Sequence, residues 1–400
     1  MRLRRLLVAT FTTCATFVVA APVVPAVAAP PRWVQRVDFL VDDLPISVAI
    51  SLGGKPLYRH KDWVARPPAS NEKLLLSMAL LKRLGGETTI PTRLFGTERV
   101  GSDGVLTGDL WIVGHGDPEI AGRDMADLAR ALVDAGVVRV RGRVFGSTGP
   151  FARDWWAPGW RDYFPRYYIA LPTALTYRFN QRAGGRHVSD PERLAAKALT
   201  KKLEARGIEV TGKAGSGRPP GGLVNLASLR SDALSTIMRR MNLVSSNFRA
   251  EVLGKMLGAR RLGSPGTIAK GARVIERFAD ARGVQLVAHD GSGLSYANRV
   301  SADGMVDMLR VAERAPWGEM LRATLPAGGE GTLKDRLETV TVRAKTGTLI
   351  EVSALSGWVW LEREDAWAAF SILSSGMNTT QAKSIENKIV RVVAANAAPR

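Results

Sequence analysis

The amino-acid sequence predicts an α/β fold of the α+β type, divided into two domains. The chain has 400 residues and is 46% hydrophobic, which is enough to bury a core but exceeds the commonest size of a single domain. Segments with helical and with strand-like periodicity both occur along it, and no internal repeat is visible. A Gly/Pro-rich tract at 215–222 has the composition of a junction between two units.

Strand-like runs are expected near both ends of the chain. Residues 46–52 and 55–60 flank Gly53-Gly54 and predict a hairpin. Three further apolar runs predict strands at 339–343, 352–361 and 367–374, and a last helix is expected at 380–394.

Helical spacing dominates the region between these strands. Pro67-Pro68 ends regular structure, and apolar residues then recur at helical spacing from Ser70 until Gly85-Gly86. The same pattern predicts helices at 124–135, 191–206, 231–241, 248–257, 265–282 and 302–312. Between 90 and 227 there are also strand-like runs at 108–113 and 137–145.

The N-terminus has the pattern of an export signal. Three arginines precede an uncharged run at 6–29, and Ala26 and Ala28 form a small-residue cleavage site. We expect a signal peptide at 1–28 and a Pro/Ala-rich linker at 29–32, although the run could also be retained as an anchor. The mature protein is then exported and periplasmic, cell-wall-associated or secreted.

Charge and cysteine content narrow the range of partners. The formal net charge is +19, or +16 without the three signal arginines, so anionic partners are favoured. Anionic wall polymers or the lipid head groups of a membrane surface fit an exported protein, whereas no nucleic-acid motif is present. The charge could equally serve solubility alone. The single cysteine, Cys14, lies in the signal, so we expect no disulfide and no thiolate metal site.

Ser70-Asn71-Glu72-Lys73 is the central candidate for chemistry. At the start of a helix, residues three apart share one face, so the Ser70 hydroxyl and the Lys73 amine would be neighbours. A serine needs an adjacent base to become a nucleophile, and a lysine of lowered pKa can be that base. Taken alone, the pair could be an ordinary helix cap and a solvated cation.

Two further polar motifs follow. Ser245-Ser246-Asn247 stands between two predicted helices, and Lys345-Thr346-Gly347-Thr348 lies in a strand-like run. A lysine and a threonine hydroxyl on an edge strand can bind a carboxylate, and a glycine leaves room for a ligand lying against the strand. Singly, these motifs could be a polar turn and an exposed strand end.

The ordered set of Ser-x-x-Lys, Ser-x-Asn and Lys-Thr-Gly resembles that of penicillin-binding proteins and serine β-lactamases. Within that superfamily the chain is most similar to the class C low-molecular-mass D-alanyl-D-alanine carboxypeptidase/endopeptidases. The 175 residues from Ser70 to Ser245 agree with this family's large insertion. Matching segments, listed by their numbers, are 68–70, 108–110, 114–118, 241–242, 250–251, 290–295, 298–301, 325–326 and 331–333.

The resemblance implies a penicillin-binding-protein/serine β-lactamase-like transpeptidase fold, with a five-stranded antiparallel sheet covered by helices on both faces. We expect the catalytic domain at 33–90 and 228–400 and the inserted domain at 91–227. The family often nests a third domain after a segment that here is 174–180. The next family-like segment begins at Asp190, so we expect that third domain to be absent.

The resemblance also implies a mechanism without metal or organic cofactor. Ser70 would be acylated by peptidoglycan stem peptides, and by β-lactam antibiotics, with Lys73 as base. Ser245 would relay a proton to the leaving group, and Asn247 would hold the substrate amide.

The remaining motif residues bind substrate on this reading. Lys345 and Thr346 would take the terminal carboxylate beside Gly347, and the backbone N–H groups of Ser70 and Thr348 would form the oxyanion hole. Relatives carry acidic residues after a Gly-Trp pair to hold a side-chain amine. Here Tyr163 and Phe164 take those positions, and Asp162 is the nearest carboxylate.

Two other functions remain alternatives. A Ser-His-Asp hydrolase would need a nucleophile elbow with the motif Gly-x-Ser-x-Gly. The best match, Gly293-x-Ser295-x-Ala297, lacks the second glycine of that motif. A catalytically idle penicillin-binding sensor or wall scaffold would keep the fold without turnover, and the intact motifs argue against it.

Overall fold

A computed structural model describes residue 9 and residues 30–396 of the chain. The predicted signal at 1–28 lies outside the described residues except for residue 9. Of the predicted linker at 29–32, residues 30–32 are described, and a helix already begins at Arg32. Among the described residues, no helix combines the length and the apolar character needed to cross a membrane.

Eleven α-helices form within residues 30–396. They are α1 (Arg32–Val41), α2 (Glu72–Leu84), α3 (Gly122–Asp134), α4 (Phe164–Tyr167), α5 (Pro191–Glu204), α6 (Leu234–Leu243), α7 (Asn247–Leu262), α8 (Ile268–Asp280), α9 (Ala302–Glu313), α10 (Gly318–Ala323) and α11 (Thr379–Asn396). Short 3-10 helices cover Ala69–Asn71, Arg178–Asn180 and Gly331–Leu333.

Fifteen β-strands accompany them in the same range. They are β1 (Ile46–Leu52), β2 (Lys55–His60), β3 (Pro91–Gly96), β4 (Val105–Leu106), β5 (Leu110–Gly114), β6 (Arg139–Val140), β7 (Val144–Ser147), β8 (Glu209–Val210), β9 (Gly215–Gly217), β10 (Val224–Arg230), β11 (Leu286–Val287), β12 (Arg299–Val300), β13 (Val342–Leu349), β14 (Val352–Leu361) and β15 (Ala366–Ser375).

The first sheet is antiparallel and joins strands from both ends of the described chain. Its order is β13-β14-β15-β1-β2, with β1 and β15 paired from Ile46↔Ser374 to Leu52↔Ala368. β13 is an edge strand, and its free edge faces the 3-10 helix that contains Ser70. The five-stranded antiparallel sheet that the resemblance implied is confirmed.

Helices cover both faces of this sheet. On one face, α1 and α11 bury Val37, Ile389 and Val390 against strand residues such as Ile50 and Phe370. On the other face, α9 contacts β1, β14 and β15 and shares a core with α2, α6, α7, α8 and α10. Each large apolar side chain buried in this way contributes about 1.5–3 kcal/mol. The sheet and the helical core together hold α2 in place.

A second sheet is built from the stretch that was predicted as the insertion. Its order is β10-β3-β5-β7-β9, antiparallel from β10 to β5 and parallel from β5 to β9. α3 and α5 supply Leu128, Leu132 and Leu199 to its core. The strands β4, β6 and β8 form a small parallel sheet beside it. β10 ends at Arg230, three residues beyond the expected boundary.

Part of the same stretch packs on the helical core of the first sheet. Phe151 and Ala170 belong to that core, and Trp160 and Phe164 pack with Leu294 in a separate apolar cluster. Residues 151–170 therefore lie against the helices that cover the first sheet and reach the cleft described below.

Two sequence predictions in this stretch are wrong. The Gly/Pro-rich tract at 215–222, predicted as a junction, begins with β9, which is an edge strand of the second sheet. Residues 137–145 form two strands, β6 and β7, that belong to different sheets. The chain bends between them at Gly142, where a side chain would come within 2.5 Å of the Gly108 carbonyl. The run has the β-branched residues and the alternation of a strand on both sides of Gly142, so its pattern did not reveal that close approach.

Candidate active site

Ser70 lies at the entrance to α2. The 3-10 helix Ala69–Asn71 leads directly into this helix, and Ala69 has a φ of 46°, in the left-handed region that costs a non-glycine residue energy. Asn71 and Glu72 are buried, whereas Ser70 is partly exposed. The turn therefore presents one hydroxyl to the surface at the start of a buried helix.

Lys73 lies beside this hydroxyl. Its Nζ is 2.9 Å from Ser70 Oγ, 2.9 Å from Asn247 Oδ1 and 2.5 Å from the Ser292 carbonyl oxygen. Three acceptors match the three donors of an ammonium. After loss of one proton, two N–H groups can still hold Asn247 and Ser292, while the lone pair faces Ser70.

The proton affinity of Lys73 follows from its burial. Complete burial lowers the pKa of Lys73 to about 8, and the carboxyl groups of Asp290, Glu251 and Glu72 raise it in the opposite direction. A pKa near 8 leaves roughly a tenth of the amine neutral at pH 7. Lys73 is thus a base that is available near neutral pH.

Ser245 and Asn247 reach the site from the loop before α7. Ser245 has a φ of 55°, again left-handed, and its Oγ accepts a hydrogen bond from Lys345 Nζ at 2.9 Å. Ser246 caps α7 by accepting from Arg249 N at 3.3 Å. The capping role that could have explained the whole motif therefore falls to Ser246 alone.

Lys345 and Thr346 lie on the edge strand β13. Lys345 is fully buried, and burial, followed by repulsion from Lys73, lowers the pKa of Lys345 well below its ordinary value. Thr346 Oγ1 donates to Thr332 Oγ1 at 2.7 Å. Lys345 and Thr346 are therefore joined by hydrogen bonds to hydroxyl groups of neighbouring segments, and Ser245, which Lys345 contacts, lines the cleft described below.

Gly347 has a packing role in addition to the one expected from the sequence. A Cβ at Gly347 would lie 2.8 Å from the Pro68 carbonyl oxygen and 3.0 Å from Ala69 Cβ. The glycine therefore admits the turn that carries Ser70 against the edge of β13. Thr348 follows it and lines the cleft.

The cleft has a volume of about 610 Å³. Four predicted site residues line it: Ser70, Ser245, Asn247 and Thr348. The rest of the lining consists of the aromatic residues Tyr163, Phe164, Tyr168 and Tyr296, of Leu294, of residues 349–351 at the β13–β14 turn and of residues 377–379 at the start of α11. Asp162 is exposed and does not line the cleft. The structure thus brings together all the predicted site residues except Asp162.

Several residues of the site were not singled out from the sequence. Ser292 supplies a backbone carbonyl, which leaves no trace in side-chain chemistry. Glu72 and Glu251 are fully buried acids, and unpaired acids within apolar helical runs were the available signal. Among the described residues, no group of three or more His, Cys, Asp or Glu side chains could hold a metal ion.

This fold and these three motifs define a serine acyl-enzyme hydrolase of the penicillin-binding type. The chain belongs to the D-Ala-D-Ala carboxypeptidase 3 (S13) family, whose sequence model matches residues 44–184 and 168–396. The predicted family is confirmed, and the predicted activity is the one for which the family is named.

Individual proteins agree with this assignment. A D-alanyl-D-alanine carboxypeptidase of Actinomadura sp. (strain R39) is 29% identical in an alignment that covers 86% of this chain and 80% of that protein. The crystal structure of penicillin-binding protein 4 from Haemophilus influenzae matches with a TM-score of 0.80 and 19% identity, and covers 90% of this chain and 99% of that one. The same protein complexed with a β-lactam matches with a TM-score of 0.70 and 20% identity, over 89% and 98% of the two chains.

Proposed function

We propose that this protein removes the terminal D-alanine of peptidoglycan stem peptides through an acyl-enzyme at Ser70. The observation that carries the proposal is the contact of 2.9 Å between Lys73 Nζ and Ser70 Oγ, made by a lysine whose pKa is lowered to about 8 by burial. A serine alcohol is a weak nucleophile until a neighbouring base takes its proton. Lys73 is the base within reach.

In the first step, neutral Lys73 takes the Ser70 proton while Ser70 Oγ forms a bond to the carbonyl carbon of the penultimate D-alanine. Asn247, which Lys73 holds at 2.9 Å, lines the cleft and can meet the backbone amide of the peptide. The negative charge that develops on the carbonyl oxygen needs N–H donors, and Ser70 N and Thr348 N are our candidates. Loss of one such donor typically lowers a rate by about 10²–10³-fold.

In the second step, the bond between carbon and nitrogen breaks and the leaving D-alanine takes a proton. Ser245 Oγ accepts from Lys345, so its own O–H is free to donate to that nitrogen. Lys345 can then return a proton to Ser245. Water then attacks the acyl carbon and passes a proton through Ser245 to the now neutral Lys345. The bond from this carbon to Ser70 Oγ breaks, and protonated Lys73 returns its proton to that oxygen.

Recognition of the terminal carboxylate is assigned to the β13 edge. Lys345 and Thr346 bring an amine and a hydroxyl to the same end of the cleft. An anion here would also offset the mutual repulsion of Lys345 and Lys73. A free carboxylate at the substrate's C-terminus is what distinguishes carboxypeptidase action from cleavage of internal cross-links.

A β-lactam presents a strained amide and a carboxylate at similar positions, so we propose that it acylates the same serine. The β-lactam complex of the Haemophilus influenzae protein, which has the same fold, supports this. Peptidoglycan stem peptides and β-lactams are therefore the two ligand classes assigned to the cleft.

We propose that the chain forms two domains, a catalytic domain of residues 33–90 and 228–400 and an inserted domain of residues 91–227. The two separate sheets support it. The family model matches in two segments that overlap at 168–184, next to the expected site of the missing nested domain. From Gln181 to His187 the chain makes only a β-bridge around a tight turn, which supports the absence of a third domain there.

Action outside the cytoplasm is proposed from the substrate and from the predicted signal peptide.

An anionic partner, either wall polymer or membrane lipid, is supported by a groove between α1 and α11. Arg32, Arg36, Lys388 and Arg391 line this groove, and beside them Phe39 is 86% exposed. Sedimentation with purified wall fragments or anionic vesicles at two salt concentrations tests this, since charge-driven binding weakens with salt.

The alternative is an idle penicillin-binding sensor or scaffold. Trapping by a β-lactam does not separate the two, because an idle site can still be acylated. Incubation with a pentapeptide muropeptide, followed by mass spectrometry, does. Release of one D-alanine per peptide supports the enzyme, and an adduct with penicillin without any peptide turnover would favour the sensor.

A further inference from the structure

Three acidic side chains lie buried directly beneath the active-site lysine. Glu72, Glu251 and Asp290 are each fully inaccessible to solvent, although they come from α2, α7 and the loop before β12. Acidic residues are seldom completely buried without a cation paired to each of them. None of the three forms a salt bridge with a described arginine or lysine within 4.0 Å. This carboxyl cluster therefore calls for a functional explanation.

Glu251 connects the cluster to Lys73 through one residue, Ser292. Its Oε1 accepts from Gly291 N at 3.0 Å and from Ser292 N at 2.7 Å. The carbonyl oxygen of the same Ser292 accepts from Lys73 Nζ at 2.5 Å. Glu251 thus helps to hold Ser292, whose carbonyl oxygen is one of the three hydrogen-bond acceptors of Lys73.

We propose that Glu251 is a positioning residue for Lys73, holding the Ser292 carbonyl in place and setting by its charge the pH at which the lysine becomes a base. The inference rests on the proposed function, in which Lys73 activates Ser70. Glu251 itself does not touch substrate in this arrangement.

The rest of the 290–295 loop is held independently of Glu251. Asp290 accepts from Gly293 N at 2.9 Å, from Ser295 N at 2.8 Å and from Trp160 Nε1 at 2.7 Å. Among these contacts, Glu251 holds the peptide unit before the Ser292 Cα, and Asp290 holds Gly293 N in the unit that contains the Ser292 carbonyl. Removing the Glu251 acceptor should therefore tilt this carbonyl without releasing the whole loop.

The complete burial of Glu251 gives the cluster its sensitivity to pH. Glu251 and Glu72 are both inaccessible to solvent, and Glu72 Oε1 has no hydrogen-bond partner among the described residues, an arrangement that disfavours the ionised forms. Burial, then repulsion from Asp290, raises the pKa of Glu251 to about 8. Glu251 and Lys73 therefore exchange protons with solvent over the same pH range and influence each other.

Other charged groups face this pair from the surrounding helices. Asp290 raises the pKa of both partners, and Glu72 of α2 raises that of Lys73. Lys345 of β13 interacts with Lys73, Lys255 lies further along α7, and Glu276 of α8 acts on Glu72. Glu276 is the matched control, because its carboxyl also accepts a backbone N–H of the neighbouring loop, Ala288 N at 3.0 Å. It is not among the groups that shift the pKa of Lys73.

The test is the pH profile of acylation of the full-length protein by a chromogenic β-lactam. An amide at position 251 keeps the acceptor but never carries charge. In Glu251→Gln the negative charge that holds the proton on Lys73 is gone, so the pKa of Lys73 falls. The midpoint of the rising limb should then move to lower pH by about 0.5–1 unit, and Glu276→Gln should leave it in place.

A second variant separates the effect of the Glu251 hydrogen bonds on the Ser292 carbonyl from the effect of the Glu251 charge. Glu251→Ala removes the acceptor as well, and the plateau rate should fall about 10–100-fold below that of Glu251→Gln, since a misplaced base costs rate on that scale. Thermal unfolding and near-UV circular dichroism show whether the variant is folded. If the alanine variant is unfolded, the pH profile of acylation by Glu251→Gln alone tests the inference.

A Glu251→Gln midpoint equal to that of wild type or of Glu276→Gln would overturn the inference, and so would a folded Glu251→Ala with the plateau of Glu251→Gln. These outcomes presuppose wild-type acylation at Ser70. A wild-type protein that forms no Ser70 adduct would instead refute the proposed function.

Discussion

Lys345 Nζ donates a hydrogen bond to Ser245 Oγ over 2.9 Å, which joins the edge strand of the first sheet to the loop before α7. The two residues are 100 positions apart in the chain. The contact orients the Ser245 hydroxyl and brings the Lys345 ammonium close enough to Lys73 for each to disfavour the other's charge. The proton chemistry of the site therefore depends on the packing of β13 against the turn at Ser70.

Acylation should be confined to one serine. Wild-type protein incubated with penicillin should gain the mass of one β-lactam, located by peptide mapping to the segment with Ser70. Ser70→Ala removes the hydroxyl that Lys73 contacts at the start of α2, and the variant should gain nothing. An adduct on folded Ser70→Ala would contradict the mechanism.

Replacement of Lys73 by arginine should abolish the rise of acylation with pH. In wild type, the reactive form is the neutral amine, so the rate should be low below the Lys73 pKa of about 8 and rise through it. Arginine stays protonated throughout this range, and we expect a fall of about 10³-fold or more at pH 8. Stopped-flow acylation kinetics between pH 6 and about 10 measure both effects.

The matched control for this variant is Lys82→Arg. Lys82 lies on the same helix and is exposed, so its replacement should leave the profile unchanged. Near-normal acylation by a folded Lys73→Arg protein would remove Lys73 from the role of base.

Sequence reasoning reached the site because its chemistry is carried by side chains at fixed spacing. Ser70 and Lys73 lie three residues apart at a helix start, and that spacing alone places them on one face. Ser245 and Lys345 came only from the order of the motifs, since nothing local predicts their contact. The strands β1, β2 and β14 were predicted with the bounds that they have, because apolar runs and turn residues delimit them.

What could not be predicted depends on backbone contacts between distant segments. The carbonyl of Ser292 and the close approach of Gly347 to Pro68 involve no characteristic side chain. The same is true of Gly142, where the predicted strand divides. The burial of Glu251 depends on how α7 packs against the loop before β12, and helical periodicity does not encode that partner.

Stability should depend on an ion pair between a buried lysine and a partly exposed aspartate, which links the 151–170 stretch to α7. Lys255 is fully buried, and its Nζ donates to Asp154 Oδ1 at 2.6 Å. The other oxygen, Oδ2, accepts from Ile268 N at 2.7 Å. Asp154→Ala leaves the lysine without its counter-charge, and we expect a loss of about 3–5 kcal/mol in the free energy of unfolding.

Urea denaturation compares this variant with Asp127→Ala, which breaks an exposed pair with Arg130 at 2.7 Å. That change should cost about 0–1 kcal/mol. Equal losses in the two variants would mean that burial of Lys255 does not carry the expected penalty.

Substrate choice should differ from that of relatives that hold a side-chain amine with an acidic residue. Tyr163 and Phe164 line the cleft, whereas Asp162 is exposed outside it, and an exposed carboxylate contributes only about 0–1 kcal/mol to such a contact. We therefore expect kcat/KM for a D-Ala-D-Ala peptide with a free side-chain amine to lie within about fivefold of that for its acetylated twin. Glu351 also lines the cleft, so the comparison is repeated in Asp162→Asn and Glu351→Gln. A preference of about 100-fold for the free amine, equivalent to about 2.7 kcal/mol, would contradict the prediction, and the variant that abolishes it would identify the carboxylate responsible.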